Sequence, residues 1–206
     1  MIDPRKFLRV TIAVLGVVIV GLIGWHLGRT KSGPAVMSDA VPDYGAVAGF
    51  AFTDQTGRPF GSEDLKGKVW IADFVFTRCM GPCPLLTTRM AALQTEFKNK
   101  QDLMFVSFSV DPDHDTPAVL TKYATTYGVD GARWKFLTGP KEKIYQLIHG
   151  SFHLAVGPGE DKTPSVTDIL HSLFFVLVDK DGRVRGYFNS DDEESMKSLR
   201  EKIRAA

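Results

Sequence analysis

Apolar residues run without alternation through Val69–Phe76 (VWIADFVF), broken only by Asp73, and again through Leu103–Val110 (LMFVSFSV). Short runs of this kind predict strands covered on both faces, as in a parallel sheet flanked by helices. Between them, Leu86, Met90, Leu93 and Phe97 recur at helical spacing within Leu85–Phe97. Gly49–Thr53 and Arg58–Phe60, joined through Asp54-Gln55-Thr56-Gly57, predict a β-hairpin, and Ser62–Leu65 one helical turn ended by Gly67. Asp111–Pro117 reads as a turn feeding a helix. Thr116 or Asp115 fits its cap, Pro117 its first residue and Gly128 its stop. Further strands are expected at Trp134–Leu137, Phe152–Val156, Leu173–Val178 and Val184–Phe188, and helices at Pro140–Ile148 and Asp191–Ala205. Alternating β and α units closed by a hairpin and a helix predict an α/β sandwich with an N-terminal β-hairpin.

One apolar run is of another kind. Val10–Gly28 (VTIAVLGVVIVGLIGWHLG) contains no Asp, Glu, Lys or Arg, and at ~1.5 Å rise per residue a helix of this length crosses a bilayer core. Arg5, Lys6 and Arg9 precede it, which favours a cytoplasmic N-terminus and an exported remainder. A cleaved signal peptide fits less well, because its apolar core is shorter and no small-x-small site follows. The expected organisation is a tail at 1–9, a transmembrane anchor at 10–28, a flexible tether at 29–48 and one domain at 49–206. The expected location is a bacterial inner membrane, with the domain in the periplasm or outside the cell.

Composition adds little to the fold but narrows the function. The 206 residues are 44% hydrophobic and 24% charged, as in a globular protein, and the formal net charge of +1 gives no electrostatic case for a nucleic-acid partner. The two cysteines, Cys79 and Cys83, are four apart in Cys-Met-Gly-Pro-Cys. A domain of this size needs no staple, so the pair calls for a local explanation. A residue before proline is pushed away from helical backbone, which predicts extended Gly81 and Cys83, with Pro84 opening the helix and Cys83 at its N-cap. A helix N-terminus favours thiolate, so the pair is expected to be activated and partly accessible. The spacing suits a disulfide and a bridged soft ion alike, Cu(I) before magnesium or calcium.

Imidazole would complete a cupric site. His26 falls in the apolar run, His114 in a turn, and His149 and His153 flank Gly150. His171 precedes an apolar strand, where loops of an α/β sheet gather at one functional edge, although taken alone a hydrogen-bonded core role fits it better.

Three segments together, Phe76–Pro84 (FTRCMGPCP), Val110–Pro117 (VDPDHDTP) and Leu170–Ser172 (LHS), resemble the Sco/SenC family of cytochrome c oxidase assembly proteins. The resemblance implies a thioredoxin-like fold that binds copper, Cu(I) or Cu(II), through Cys79, Cys83 and His171. It implies delivery of copper to the binuclear site of oxidase subunit II, or reduction of that site's cysteines, with a copper donor or a thiol reductant as a further partner. In the second role Cys79 and Cys83 would be a redox-active disulfide and the protein a thiol–disulfide reductase. Asp111 matches an acidic position of the family signature, as a turn former or as a group orienting a ligand; the turn role is the plainer. Met80 departs from the proline common after the first cysteine, and makes the motif look like a dithiol Cys-Gly-Pro-Cys with one residue inserted.

Overall fold

Strand β3 (Val69–Val75) is buried along its whole length and forms the spine of a seven-stranded sheet. The computed structural model describes Gly16, residues 42–154 and residues 173–206. The anchor at 10–28, Gly16 excepted, most of the tether and His171 lie outside the described residues. Among the described residues no helix is long and apolar enough to cross a membrane.

The chain from Val41 onward forms one compact unit. Strands β1 (Ala51–Asp54) and β2 (Pro59–Gly61) make the expected hairpin, and a 3-10 turn follows at Ser62–Leu65. After β3 come α1 (Pro82–Glu96), β4 (Leu103–Ser109), α2 (Pro117–Thr126), β5 (Trp134–Thr138) and α3 (Lys141–Phe152). Strands β6 (Phe174–Val178) and β7 (Val184–Asn189) and helix α4 (Glu193–Ala205) complete the domain. The spatial order is β2-β1-β5-β4-β3-β6-β7. Strands β3, β4 and β5 run parallel; β6 pairs antiparallel to β3, so the sheet is mixed. Pro59 sits in an edge strand, where its missing N–H costs no ladder bond.

Alternation along β3 divides the core in two. Trp70, Ala72 and Phe74 pack with Phe108 and with Ile144, Ile148 and Phe152 of α3. Val69, Ile71 and Val75 face the opposite way, against Leu86, Met90 and Leu93 of α1, Leu120 of α2 and Leu199 and Ile203 of α4. The result is the expected α/β sandwich, with helices on both faces of the sheet.

Two local expectations change. Helix α3 runs through Gly150 to Phe152, which the sequence reading places in a strand. Burial of Ser151 and Phe152 extends the helix beyond the glycine, and His153 ends it in left-handed backbone at φ 47°. The last residues of the expected tether are also engaged. Tyr44 N–H donates to Val184 O at 3.0 Å, Val184 N–H to Gly45 O at 2.9 Å and Val47 N–H to Gly182 O at 2.8 Å. An Asp43–Arg183 ion pair of 2.6 Å strengthens this strap. It lies along the turn between β6 and β7, where Gly182 takes the positive φ of 73° that the tight reversal requires.

Helix α4 is capped by Asp192, whose carboxylate accepts from Ser195 N–H at 2.8 Å. Asp192→Ala is expected to lower stability by about 1 kcal/mol, read as a shift in the urea midpoint with unchanged slope.

Candidate metal and thiol centre

The loop leaving β3 carries Cys79, and α1 carries Cys83. The helix begins at Pro82, with Gly81 as its N-cap, so Cys83 lies inside the first turn and not at the cap. Pro82 and Pro84 both fit because the first-turn N–H groups have no intrahelical acceptor. The local preference of a pre-proline residue for extended backbone is overruled by packing. Helical placement puts Cys83 on the stripe of Leu86, Met90 and Leu93, against the sheet.

Both cysteines are unbridged and buried, Cys79 at 9% and Cys83 at 3% exposure. The Cys83 N–H donates to Cys79 Sγ at 3.5 Å, so one of the helix's free amides rests on the neighbouring sulfur. Burial pushes the Cys83 thiol well up, and its contact with Cys79 adds to the rise. The sequence-based expectation of an activated, partly accessible pair is therefore corrected for Cys83: desolvation outweighs the helix terminus, and the residue is a neutral thiol. Between the two sulfurs the chain turns outward, leaving Met80 99% exposed.

The residues before Cys79 are held by the loop between β4 and α2. Arg78 Nε and Nη2 both donate to Asp111 Oδ2, at 3.1 and 2.5 Å. The Asp111 main-chain carbonyl forms the turn, accepting from His114 and Asp115 N–H. Among the described residues its carboxylate takes no backbone donor, whereas a turn former's would; it pairs with Arg78, the neighbour of Cys79. Asp115, which sequence reasoning treats only as a candidate cap, is fully buried and accepts from Thr77 and Ser109; the helix cap is Thr116. The letters that could have pointed to Asp115 are the Thr two places before the first cysteine and the third Asp of DPDHDTP.

Among the described residues no cluster of three His, Cys, Asp or Glu side chains could hold a metal. His149 and His153, near the end of α3, are both exposed and form no such cluster. Cys79 and Cys83 thus stand together as two soft donors, suited to a soft ion or to a disulfide.

The SCO1/SenC family model matches residues 40–206. The chain belongs to the SCO1/SenC family. A SCO1 protein homolog of Bacillus subtilis is 39% identical over 147 residues, covering 69% of this chain and 73% of that protein. The structure of BsSco, described as a member of the Sco family of cytochrome c oxidase assembly proteins with a disulfide switch, superposes with a TM-score of 0.66 at 34% identity. That match covers 79% of this chain and 94% of BsSco. Bradyrhizobium japonicum ScoI with copper bound matches at a TM-score of 0.58 and 26% identity, over 76% of this chain and 99% of ScoI. These SCO1/SenC relatives share the thioredoxin-like α/β fold seen here.

Proposed function

We propose that this SCO1/SenC chain is a membrane-anchored copper chaperone. It binds copper through Cys79, Cys83 and His171 and serves the binuclear copper site of cytochrome c oxidase subunit II. The observation that carries the reading is the placement of two unbridged sulfurs on one loop and one helix start, with Cys83 N–H on Cys79 Sγ. Two thiols so placed suit Cu(I), and an imidazole from the residues before β6 suits Cu(II). Loading displaces the Cys83 proton, which makes copper uptake pH-dependent. The copper-bound ScoI relative supports the choice of metal. Val10–Gly28 supports an anchor in a bacterial inner membrane, with the domain on the outer side.

Anaerobic copper transfer from the full-length reduced chain to the soluble copper domain of subunit II tests the reading. Wild type is expected to transfer copper, and a variant with both Cys79→Ser and Cys83→Ser neither to load nor to transfer it. His171→Ala is expected to keep Cu(I) and lose Cu(II). If it binds Cu(II) as wild type does, the three-ligand site is wrong.

The same closeness of Cys79 and Cys83 favours a second reading, a thiol–disulfide reductase for the oxidase cysteines, and the disulfide switch described for BsSco supports it. One thiolate would attack the target disulfide and the other resolve the mixed disulfide. A reduction potential too high to reduce the subunit II disulfide would exclude it.

A further inference from the structure

The sulfur pair depends on where Cys79 sits, and the loop that carries it has two unlike halves. After Cys79 the chain is open: Met80 touches solvent on nearly all its surface. Before Cys79 it is bolted down. The Asp115 carboxylate, fully buried, accepts from Thr77 N–H at 3.1 Å and from Thr77 Oγ1 at 2.5 Å. It also accepts from Ser109 Oγ at 2.6 Å, and Ser109 Oγ in turn accepts from Asp111 N–H at 3.2 Å. Thr77 and Asp115 are 38 residues apart, on loops at the same end of β3 and β4. Val110 N–H donates to Val75 O at 2.9 Å and holds those two strand ends together. Hydrogen bonds to an ionised acceptor are stronger than neutral ones, and in a buried site they meet no competition from water. The Arg78–Asp111 pair acts in the same direction but is weaker, because the Arg78 side chain is 60% exposed.

We propose that Asp115 is the positioning residue of the thiol pair: by gripping Thr77 it holds Cys79 within reach of Cys83. This rests on the reading of Cys79 and Cys83 as the working centre, whether for copper or for disulfide exchange. Asp115 touches neither sulfur among the described contacts; it acts through the two residues that lead into Cys79.

The closing reaction measures this directly. In the metal-free full-length chain, Cys79 and Cys83 thiols react with oxidised glutathione, giving the Cys79–Cys83 disulfide and two reduced glutathiones. The equilibrium constant of that exchange is the effective concentration of one thiol at the other, and a wandering Cys79 lowers it. Asp115→Asn removes the charge and one acceptor, and Thr77→Val removes the hydroxyl donor. Both are expected to lower the constant by about tenfold, while Thr77→Ser, which keeps the hydroxyl, stays near wild type. Asp192→Ala at the cap of α4, whose carboxylate accepts from Ser195 N–H and makes no hydrogen bond to Thr77, Asp115 or either cysteine among the described residues, is the control for stability loss alone and is expected to leave the constant unchanged. If Asp115→Asn does not fold, Thr77→Val and Thr77→Ser carry the comparison. An unchanged or raised constant in folded Thr77→Val overturns the proposal. Because no copper enters this experiment, its failure is separate from a failure of wild type to bind copper, which would overturn the chaperone reading.

Discussion

Between pH 3.8 and about 7, the stability advantage of Asp73→Asn over wild type is expected to grow by on the order of 4 kcal/mol. Asp73 is fully buried in β3, on the face shared by Ile71, Val75 and the two cysteines. Neither of its carboxyl oxygens has a hydrogen-bond partner among the described residues. Ser107, its register partner on β4, pulls the other way through its hydroxyl, whose oxygen accepts from Trp134 Nε1 at 2.9 Å, but this is the smaller effect. Burial therefore dominates and pushes the Asp73 carboxyl up to about 7. The folded state then holds its proton more tightly than the unfolded chain. The contribution of Asp73 to wild-type stability is whole below pH 3.8, is lost steadily as the pH rises toward about 7, and levels off above that. Asparagine has no such proton, so the difference between the two proteins isolates this residue from every other titrating group. Urea titrations of the metal-free, reduced proteins across that window check it. A difference that stays flat with pH would mean that the carboxylate is solvated or paired when charged. Ionised Asp73 also pushes the Cys83 thiol further up, so the two groups disfavour charge on each other.

Phe108→Ala is expected to cost about 3–5 kcal/mol, the range for deleting a fully buried aromatic ring. Phe108 is the hub of the other half of the core. Its ring stacks on Phe74 with centroids 5.7 Å apart, and meets Phe50, Phe52 and Phe152 at 5.4, 6.2 and 5.8 Å. These partners come from β3, from the β1 hairpin and its approach, and from the last turn of α3, so no single element can collapse into the space left behind. Because Phe108 faces away from Cys79 and Cys83, the folded fraction of the variant should retain the wild-type thiol–disulfide equilibrium. A loss below about 1.5 kcal/mol, the scale of a volume-conserving swap, would show that the cluster relaxes more than its packing implies.

The elements whose signal lies in one segment are legible in the amino-acid order. The unbroken runs of β3 and β4, the α1 stripe, the first hairpin and the α2 proline start all stand where hydrophobic period and turn chemistry put them. Strand direction is not legible: Phe174–Val178 is as apolar as Val69–Val75, yet β6 runs against β3 while β4 runs with it. Cys83 shows a local rule losing to a tertiary one. Its pre-proline position argues for extended backbone, and the buried stripe it shares with Leu86 and Met90 makes it helical. The same burial reverses the expectation drawn from the helix terminus, since desolvation is a property of the packed domain and not of the motif. Asp115 is hidden for a different reason. In a run of Asp, His and Thr it looks like one more turn residue, and its partner Thr77 is distant in sequence. Asp73, by contrast, is conspicuous from the start as the lone acid in an apolar strand.

The strap at Asp43–Val47 also has a mechanical meaning. Any pull arriving from the preceding chain meets three backbone hydrogen bonds and the Asp43–Arg183 ion pair before it reaches β1. Ala48 N–H, donating to Ser151 Oγ at 3.0 Å, adds a further tie. Like the strain relief on a cable, this arrangement ends the load at the rim of the sheet formed by the β6–β7 turn. A load applied at residue 42 is therefore carried by the strap and the β6–β7 turn before it reaches β1.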